Sequence, residues 1–373
     1  MSGGPGRPAA NREYGGEVRI GLVCPYSLTV PGGVQGQVLG LARALRSLGH
    51  EARVLAPCDG PPPDAGVTPL GKSVPLASNG SIAPIAPDLP CALRTIRALG
   101  DEAFDIVHLH EPLVPGPTLT ALLFTEAPLV GTFHRAGSSN AYSMLRPLVR
   151  YGANRLRLRC AVSEDASATA KAALGGEYHL VFNGIEVDRF AKADPWPTDG
   201  RTILFLGRHE PRKGLDVLID AMDRLPADVR LWIGGEGEQT KALKERTRGD
   251  ARIEWLGSIS EHEKMMRLRG ADVFCAPSLH GESFGVVLLE AMAAQTAIVA
   301  SDIPGYGRVA RGGIDALLVP PGDSCALGVA LGRVLSDGCL NGELVASGES
   351  RAWSFSMDRL AECYLASYAE LLN

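Results

Sequence analysis

The chain has 373 residues, a formal net charge of −5 and 45% hydrophobic residues. This length predicts two domains of about 100 to 200 residues each, and the acidic balance argues against nucleic acid as a partner. Its 8 cysteines form no CxxC pair and no metal-ligand spacing, a pattern typical of buried thiols in a reducing compartment.

Residues 1–17 are rich in glycine and proline and lack the apolar core of a signal peptide, so we expect a disordered leader. No run of about 18 uncharged apolar residues occurs in the sequence. We therefore expect a cytoplasmic protein for which any contact with a membrane is peripheral.

The first half of the chain alternates short apolar segments with helical spacing. A strand is predicted from Val18, and after a glycine-rich turn the helical spacing runs from Val34 to Leu48. Further strands are predicted at 51–56, 104–110, 128–134 and 158–163. Strands separated by helices of this length indicate parallel βαβ units.

The second half repeats the alternation after a segment rich in proline and polar residues, 190–202, which we interpret as an interdomain connection. Strands are predicted at 202–207, 229–235, 251–257, 271–277, 297–301 and 316–323. Helical spacing returns over 357–372.

This order predicts an α/β protein with two doubly wound parallel-sheet domains, in which ligands bind beyond the carboxyl ends of the strands. We place the domains at 18–194 and 195–352, and we expect 353–373 to form a helix that packs back on the N-terminal domain. The first turn, PYSLTVPGGVQGQ, lacks GxGxxG, and no acidic residue ends the next strand, which disfavours a nicotinamide cofactor.

Three cations lie between a predicted strand and a helix start in the segment GRHEPRKG: Arg208, Arg212 and Lys213. A helix start offers free N–H groups and a partial positive charge, so additional cations there indicate a bound anion such as a diphosphate. The alternative interpretation is a solvated helix start with basic residues.

Glu282 and Glu290 are nearly the only polar residues in the apolar run GESFGVVLLEAMAA. On one helix, eight positions span roughly 12 Å with the two side chains about 80° apart, so the carboxylates could hold distant hydroxyls of one ligand. Backbone amides at Ser283, Phe284 and Gly285 could meet phosphate oxygens. Alternatively, Glu282 interacts with the helix dipole and Glu290 is a buried acid with a partner.

Histidines end two of the strands predicted in the first half. His108 and His110 share one face of a strand but lack a third ligand, which disfavours a metal site. Glu111 follows at the strand end, as a structural anchor or as a base. His134 ends a later strand and serves either polar packing or catalysis.

These segments resemble a known enzyme family. HGESFGVVLLEAMA followed by AIVASDIPG resembles the E-x7-E segment of retaining family 4 glycosyltransferases, which have the GT-B fold of two facing Rossmann-like domains with an interdomain cleft. GRHEPRKG resembles their donor-phosphate motif, and NGIEVDRF (183–190) the segment leading out of the first domain. VRIGLVCPYSLTVPGGVQ and DIVHLHEPLVPG are most similar to actinobacterial phosphatidylinositol mannosyltransferases.

The resemblance implies transfer of a hexose, with retention of configuration and without metal or cofactor, from a nucleotide sugar to an acceptor bound by the N-terminal domain. It implies GDP-mannose as donor and phosphatidylinositol or a related phosphorylated cyclitol as acceptor, with peripheral contact at the inner face of the plasma membrane. A transferase acting on a small soluble acceptor in secondary metabolism and a nucleotide-sugar epimerase are the alternatives.

The resemblance also implies roles for individual residues. The implied catalytic residues are His134, Arg208, Lys213 and Glu282. The implied donor-binding residues are Gly33, Arg212, Ile259, Lys264, Ser283, Phe284, Gly285 and Glu290. The implied acceptor-binding residues are Tyr26, Gln35, Asn79, Ser81 and Arg135. In this scheme Glu282 holds the hexose, Glu290 the ribose, and Ile259 and Lys264 lie beside the base.

The chain departs from the family pattern on the acceptor side. Pro84 stands where the family usually places an arginine for the inositol phosphate, and Ser139 stands in place of a lysine. Arg135 is the candidate substitute for one of the two. Five arginines within 146–159 either bind an anionic lipid or acceptor phosphate or form a solvated helix face. Gln295 replaces a glycine, at a cost of about 1 kcal/mol if its backbone is left-handed.

Overall fold

The structure is a computed structural model that describes residues 16–78, 81–135, 146–282 and 284–373. Two compact units divide the chain: one contains the described residues up to Gly184 together with Met357–Asn373, and the other is Ile185–Ser356. Each unit has its own parallel sheet, which confirms the predicted α/β class. Among the described residues, no helix has both the length and the hydropathy that crossing a membrane requires.

The described part of the first unit contains nine strands: β1 (Arg19–Val23), β2 (Glu51–Ala56), β3 (Val67–Pro69), β4 (Val74–Ser78), β5 (Ser81–Ile85), β6 (Ile106–His110), β7 (Leu129–Phe133), β8 (Leu156–Ala161) and β9 (His179–Leu180). Its helices before the connection to the second unit are α1 (Gly33–Ser47), α2 (Leu89–Glu102), α3 (Pro117–Phe124), α4 (Arg146–Arg155) and α5 (Glu164–Leu174). Seven strands form a parallel sheet in the order β3-β2-β1-β6-β7-β8-β9.

The antiparallel pair β4–β5 is an element that the sequence did not predict. Pro75 lies opposite Pro84 in this pair. Because proline cannot donate a hydrogen bond to a neighbouring strand, segments that contain it do not read as strands. The helix predicted after the first turn is α1. The chain leaves this helix at Gly49, whose backbone φ is 91°.

The described part of the second unit contains six strands: β10 (Thr202–Leu206), β11 (Arg230–Gly234), β12 (Ile253–Gly257), β13 (Val273–Ala276), β14 (Ala297–Ser301) and β15 (Leu317–Val319). Its α-helices are α6 (Val187–Ala191), α7 (Leu215–Ala221), α8 (Thr240–Arg246), α9 (Glu261–Gly270), α10 (Val286–Ala293), α11 (Pro304–Gly307), α12 (Ser324–Ser336) and α13 (Gly338–Ser354). The strands lie in the order β12-β11-β10-β13-β14-β15 and pair in parallel, so the loops after their carboxyl ends meet at one edge.

The limits of the second unit differ from the expected domain boundaries. Phe190 is buried, and the Trp196 ring centroid lies 4.1 Å from the guanidinium carbon of Arg267, so the proline-rich connection packs on the second unit. At the other end, the rings of Phe355 and Phe284 pack edge to face at 5.8 Å. Because these aromatic side chains pack within the second unit, that unit spans Ile185–Ser356 rather than the expected residues 195–352.

The C-terminal helix, Met357–Leu372, is held in the first unit by a buried polar network. His108 Nδ1 lies 2.6 Å from the Tyr368 hydroxyl, and His108 Nε2 lies 2.7 Å from Thr132 Oγ1. Thr132 Oγ1 in turn lies 2.9 Å from the Tyr364 hydroxyl. Burial lowers the pKa of His108 to about 3, so its neutral ring has one donor and one acceptor nitrogen, and both have partners.

Gln295, after α10, has a φ of 58°, so its backbone is left-handed and the cost named above applies. Its Nε2 donates a hydrogen bond of 2.8 Å to Glu349 Oε1 on α13. This side-chain contact offsets part of the backbone cost, and a glycine could not make it.

We predict that Tyr368→Phe destabilises the first unit, because it leaves His108 Nδ1 buried without its partner. The free energy of unfolding should fall by about 1–3 kcal/mol, measured by chemical denaturation. Tyr151→Phe is the matched control, because the Tyr151 side chain is exposed and its hydroxyl is accessible to water. Equal effects of the two changes would contradict this role of the network.

Candidate functional site

Two of the predicted cationic residues converge on one predicted carboxylate in the second unit. Arg212 and Lys213 lie in a 3-10 turn between β10 and α7. Lys213 Nζ lies 2.7 Å from Glu282 Oε1, and Arg212 Nη1 lies 3.2 Å from the same oxygen. The three side chains are between 13% and 27% exposed, so the charges are half-buried and paired.

The contact between these residues follows from the order of the strands. β10 and β13 are neighbours, so the loops that leave their carboxyl ends lie side by side. The Leu279 N–H donates a hydrogen bond of 2.7 Å to the Arg212 carbonyl, which joins the two loops. Gly214 has a φ of 65°, and a Cβ there would collide with the Pro277 carbonyl oxygen. A glycine is therefore required where the cationic turn meets the neighbouring loop.

Glu282 has further neighbours that the sequence did not indicate. Ser278 Oγ donates to Glu282 Oε1 at 3.2 Å and lies 2.9 Å from the Tyr306 hydroxyl. Burial, and then the nearby Glu282 charge, raise the pKa of Tyr306, so its hydroxyl stays neutral. Both residues follow carboxyl ends of strands, which is the signal that could have identified them. Of the two carboxylate oxygens of Glu282, only Oε1 accepts hydrogen bonds from the described residues.

Arg208 lies beside this group and is half exposed. Its Nη1 is 2.8 Å from Glu210 Oε1, and the other Glu210 oxygen accepts a 2.9 Å hydrogen bond from Arg212 Nε. With Lys213 and Glu282, the cluster holds three cations and two carboxylates. We name these five residues the charged cluster. Because exposed ion pairs are weak, Arg208 can exchange Glu210 for an anion at little cost.

A second ion pair joins α9 and α10. Lys264 Nζ lies 2.7 Å from Glu290 Oε1 and 3.0 Å from Glu261 Oε1, and 5.8 Å from the centroid of the Phe190 ring. Burial raises the pKa of Glu290, and Lys264 opposes that rise. Burial disfavours the Lys264 charge, but Glu290 and then Glu261 outweigh it, so its pKa lies above its usual value.

The expectation that both acids lie on one helix is wrong. Gly285 has a φ of 79°, and α10 begins only at Val286, so Glu282 lies in the preceding loop and Glu290 within the helix. Ser283 lies outside the described residues. The Phe284 ring is buried against Phe355, so the ring packs in the core. Ile259 is half-buried in the loop between β12 and α9.

In the first unit, His134 contacts the residues at the end of β6. His110 Nδ1 lies 2.9 Å from His134 Nε2, and Glu111 Oε1 accepts a 2.7 Å hydrogen bond from the His134 backbone N–H. Burial lowers the pKa of His134 to about 4 and that of His110 well below its usual value. The hydrogen bond to the main chain gives Glu111 an anchoring role. Across the described residues, no three His, Cys, Asp or Glu side chains are grouped as metal ligands.

Two of the expected acceptor residues hold the turn between β1 and α1. Tyr26 is half-buried, pairs with Ile85 through its backbone, and has a pKa raised mainly by burial. Gln35 is buried, and its Nε2 donates to the Val30 carbonyl at 3.2 Å and to the Ser27 carbonyl at 3.5 Å. The Gln35 amide thus stabilises the turn, a role that the sequence did not indicate.

The remaining residues expected in the first unit are only partly described. Asn79 and the side chain of Ser81 lie outside the described residues. Arg135 is half-buried, and its backbone N–H donates to Glu111. A Cβ built at Gly33, at the start of α1, meets nothing within 4 Å, so no described neighbour requires glycine there.

Two arginines of the basic segment 146–159 have structural partners. The Arg155 guanidinium donates to the carbonyls of Leu122 and Thr125, both at 2.6 Å. Arg159 Nη2 donates to the Ala153 carbonyl at 2.9 Å. These bonds join α4 and β8 to their neighbours, so Arg155 and Arg159 are not part of a solvated face.

We predict that Lys264→Met destabilises the second unit by about 3 kcal/mol at neutral pH, because Glu290 becomes a buried charge without its cation. The pKa of Glu290 is raised in the folded protein, so its charged form destabilises the fold at high pH. As the pH falls towards the ordinary Glu value of 4.5, Glu290 becomes protonated and the loss of stability in Lys264→Met should shrink. Urea unfolding at several pH values measures this.

Arg201→Met is the matched control for that prediction, because Arg201 pairs with Asp228 at the surface. It should change the unfolding midpoint only slightly, because an exposed ion pair contributes little to stability. A Lys264→Met loss that does not depend on pH would contradict the assigned pairing.

The chain matches two family models and several known proteins. Residues 31–189 match the model described as Glycosyltransferase Family 4, and residues 200–337 match Glycosyl transferases group 1. A phosphatidyl-myo-inositol mannosyltransferase of Mycobacterium leprae is 39% identical over 93% of this chain and 96% of its own. A Mycobacterium tuberculosis protein of the same name is 40% identical over the same shares.

A solved structure shows the same fold at low sequence identity. HepE of Anabaena, crystallised in complex with UDP, aligns with a TM-score of 0.70 at 19% identity over 94% of this chain and 100% of its own. Together with the two family models, this likeness confirms the GT-B architecture expected from the motifs. The chain therefore belongs to the family 4 glycosyltransferases of GT-B fold, in the group that contains the phosphatidyl-myo-inositol mannosyltransferases.

Proposed function

We propose that this glycosyltransferase moves mannose from GDP-mannose to phosphatidylinositol or a related phosphorylated cyclitol, with retention of configuration and without a metal ion. The observation that carries the proposal is the identity of 39% to 40%, over 93% of the chain, to mycobacterial enzymes with that printed name. The charged cluster and the pair Lys264–Glu290 support the donor half of the proposal.

The charged cluster suits the diphosphate of a nucleotide sugar. Its three cations exceed its two carboxylates, so a bound anion would find uncompensated positive charge. Arg212 and Lys213 are already oriented and half-buried, which strengthens their interaction with the negative charge that develops on a leaving nucleoside diphosphate. In the proposed reaction these side chains provide the stabilisation that a divalent metal provides in other transferases.

The two glutamates suit the two sugars of such a donor. Each uses its Oε1 atom for a lysine, Lys213 for Glu282 and Lys264 for Glu290. Within the described residues, neither Oε2 atom receives a hydrogen bond. A carboxylate held on one side and unoccupied on the other can accept from a hydroxyl. The family resemblance implies the hexose for Glu282 and the ribose for Glu290, and the proposal keeps that assignment.

We predict that GDP-mannose raises the thermal stability of the protein more than GDP-glucose, UDP-glucose or ADP-glucose does. A ligand at a hundred times its dissociation constant adds about 2.7 kcal/mol. Glu282→Gln should lower kcat/KM for mannosyl transfer about tenfold to a hundredfold, because it weakens a hydrogen bond to a charged group.

Glu362→Gln, an exposed carboxylate on the C-terminal helix, is the matched control and should leave kcat/KM unchanged. Activity should persist with a chelator, and the product linkage should keep the α configuration of the donor. Strong stabilisation by UDP-glucose alone, or conversion of the donor without any acceptor, would contradict the proposal and favour another transferase or an epimerase.

An apolar stripe on α2 supports a lipid acceptor. Leu89, Leu93 and Ile96 recur at helical spacing and are 70%, 58% and 38% exposed. On the same helix, Arg94 donates to the Leu70 carbonyl at 3.2 Å, whereas Arg97 forms an exposed ion pair with Asp101, which an anionic headgroup could replace. An exposed apolar stripe beside arginines is typical of a helix that lies on a membrane surface.

We predict that the double variant Leu89→Ser/Leu93→Ser loses activity on phosphatidylinositol in vesicles about tenfold but keeps its activity on soluble inositol phosphates, because it loses apolar area at the membrane. Val329→Ser in the second unit, 64% exposed, is the matched control. Transfer to soluble cyclitols with none to phosphatidylinositol would favour the alternative of a small soluble acceptor.

A further inference from the structure

The residues at the end of β6 contact His134 both at its ring and at its main chain. We propose that His110 and Glu111 are positioning residues for His134, and that they occupy its Nε2 and its backbone N–H so that Nδ1 is the nitrogen presented to substrate. The inference rests on the proposed function, with His134 in the catalytic role that the family resemblance implies. His110 entered the sequence analysis only as a candidate metal ligand.

His110 is held rigidly. It is 2% exposed, and its ring stacks on His108 with centroids 4.5 Å apart and planes 23° from parallel. Thr132 and Tyr368 bond both nitrogens of His108, so the ring beneath His110 is itself fixed. The His134 ring continues the stack at 5.2 Å and 24°. The orientation of His134 thus depends on packing that extends to the C-terminal helix.

The number of protons determines which nitrogen of His134 remains for a ligand. Burial keeps both His110 and His134 neutral near pH 7, so the 2.9 Å contact between Nδ1 and Nε2 contains one shared proton. In either tautomer, His134 Nε2 is occupied by His110. His134 Nδ1 makes no hydrogen bond to the described residues, and its protonation is set by the proton placed between the two rings.

Glu111 fixes the main chain of the same residue. Its φ is 53°, a strained value for a residue with a side chain, and its own N–H donates to the Thr132 carbonyl at 2.8 Å. Its buried carboxylate accepts the backbone N–H groups of His134 and Arg135. Because the carboxylate is occupied by main-chain donors, Glu111 serves as an anchor rather than as a base.

A double-mutant cycle tests the proposal. His110→Phe keeps a flat ring but removes Nδ1, whereas His110→Asn keeps a polar atom near that position. We expect His110→Phe to lower kcat about tenfold to a hundredfold with the donor KM changed less than about threefold, and His110→Asn to retain most of the activity. In a His134→Phe background, His110→Phe should cause no further loss, because it acts through His134. Losses that multiply would overturn the proposal.

A measurement without turnover separates this inference from the proposed function. The ¹⁵N signals of the His134 ring report each nitrogen, and in ligand-free protein His110→Phe should shift Nε2. An unshifted Nε2 overturns the inference even if transfer is observed, whereas a wild type that transfers no mannose overturns the function alone. If His110→Phe does not fold, the same ¹⁵N signals are measured in the wild type before and after GDP-mannose is added. We expect the ligand to shift the His134 Nδ1 signal, and a shift at Nε2 instead contradicts the proposal.

Discussion

The ion pair between Lys213 and Glu282 is the constraint on which the charged cluster of the second unit depends. Half-buried charges are stable only when they are paired, so the loops after β10 and β13 must stay in contact. The hydrogen bond from Leu279 to Arg212 and the glycine at 214 make that contact close. The same pairing leaves the cations oriented towards the edge of the sheet where a ligand of a doubly wound domain binds.

The first unit stabilises its polar groups by a different means. Burial keeps its histidines neutral, and both ring nitrogens of His108 contact Thr132 and Tyr368, while Nε2 of His134 contacts His110. The buried Nε2 of His110 has no partner among the described residues. Neutral rings can stack closely where cations would repel one another. The polar groups of the first unit are therefore neutral, stacked histidine rings, whereas those of the second unit are paired charges.

Several residues of the first unit that the sequence suggested for the acceptor have structural partners instead. Gln35 is occupied by the turn after β1, and Arg155 and Arg159 are occupied by carbonyls of their neighbours. These contacts remove three candidates for an anionic acceptor. The apolar stripe on α2 keeps its side chains exposed, as contact with a lipid would require.

The sequence by itself determined most strands of the two parallel sheets and the family, because apolar periodicity and short motifs are local properties. It also indicated Lys213 and Glu282, since both follow strand ends. It missed the antiparallel pair β4–β5, whose prolines hide it from such a pattern. Only the tertiary structure decided that Glu282 precedes its helix, since the left-handed backbone at Gly285 delays helix formation. Ser278, Tyr306 and the role of His110 likewise required the fold. Their contacts depend on which strand ends lie side by side in the sheet, and no local pattern records that.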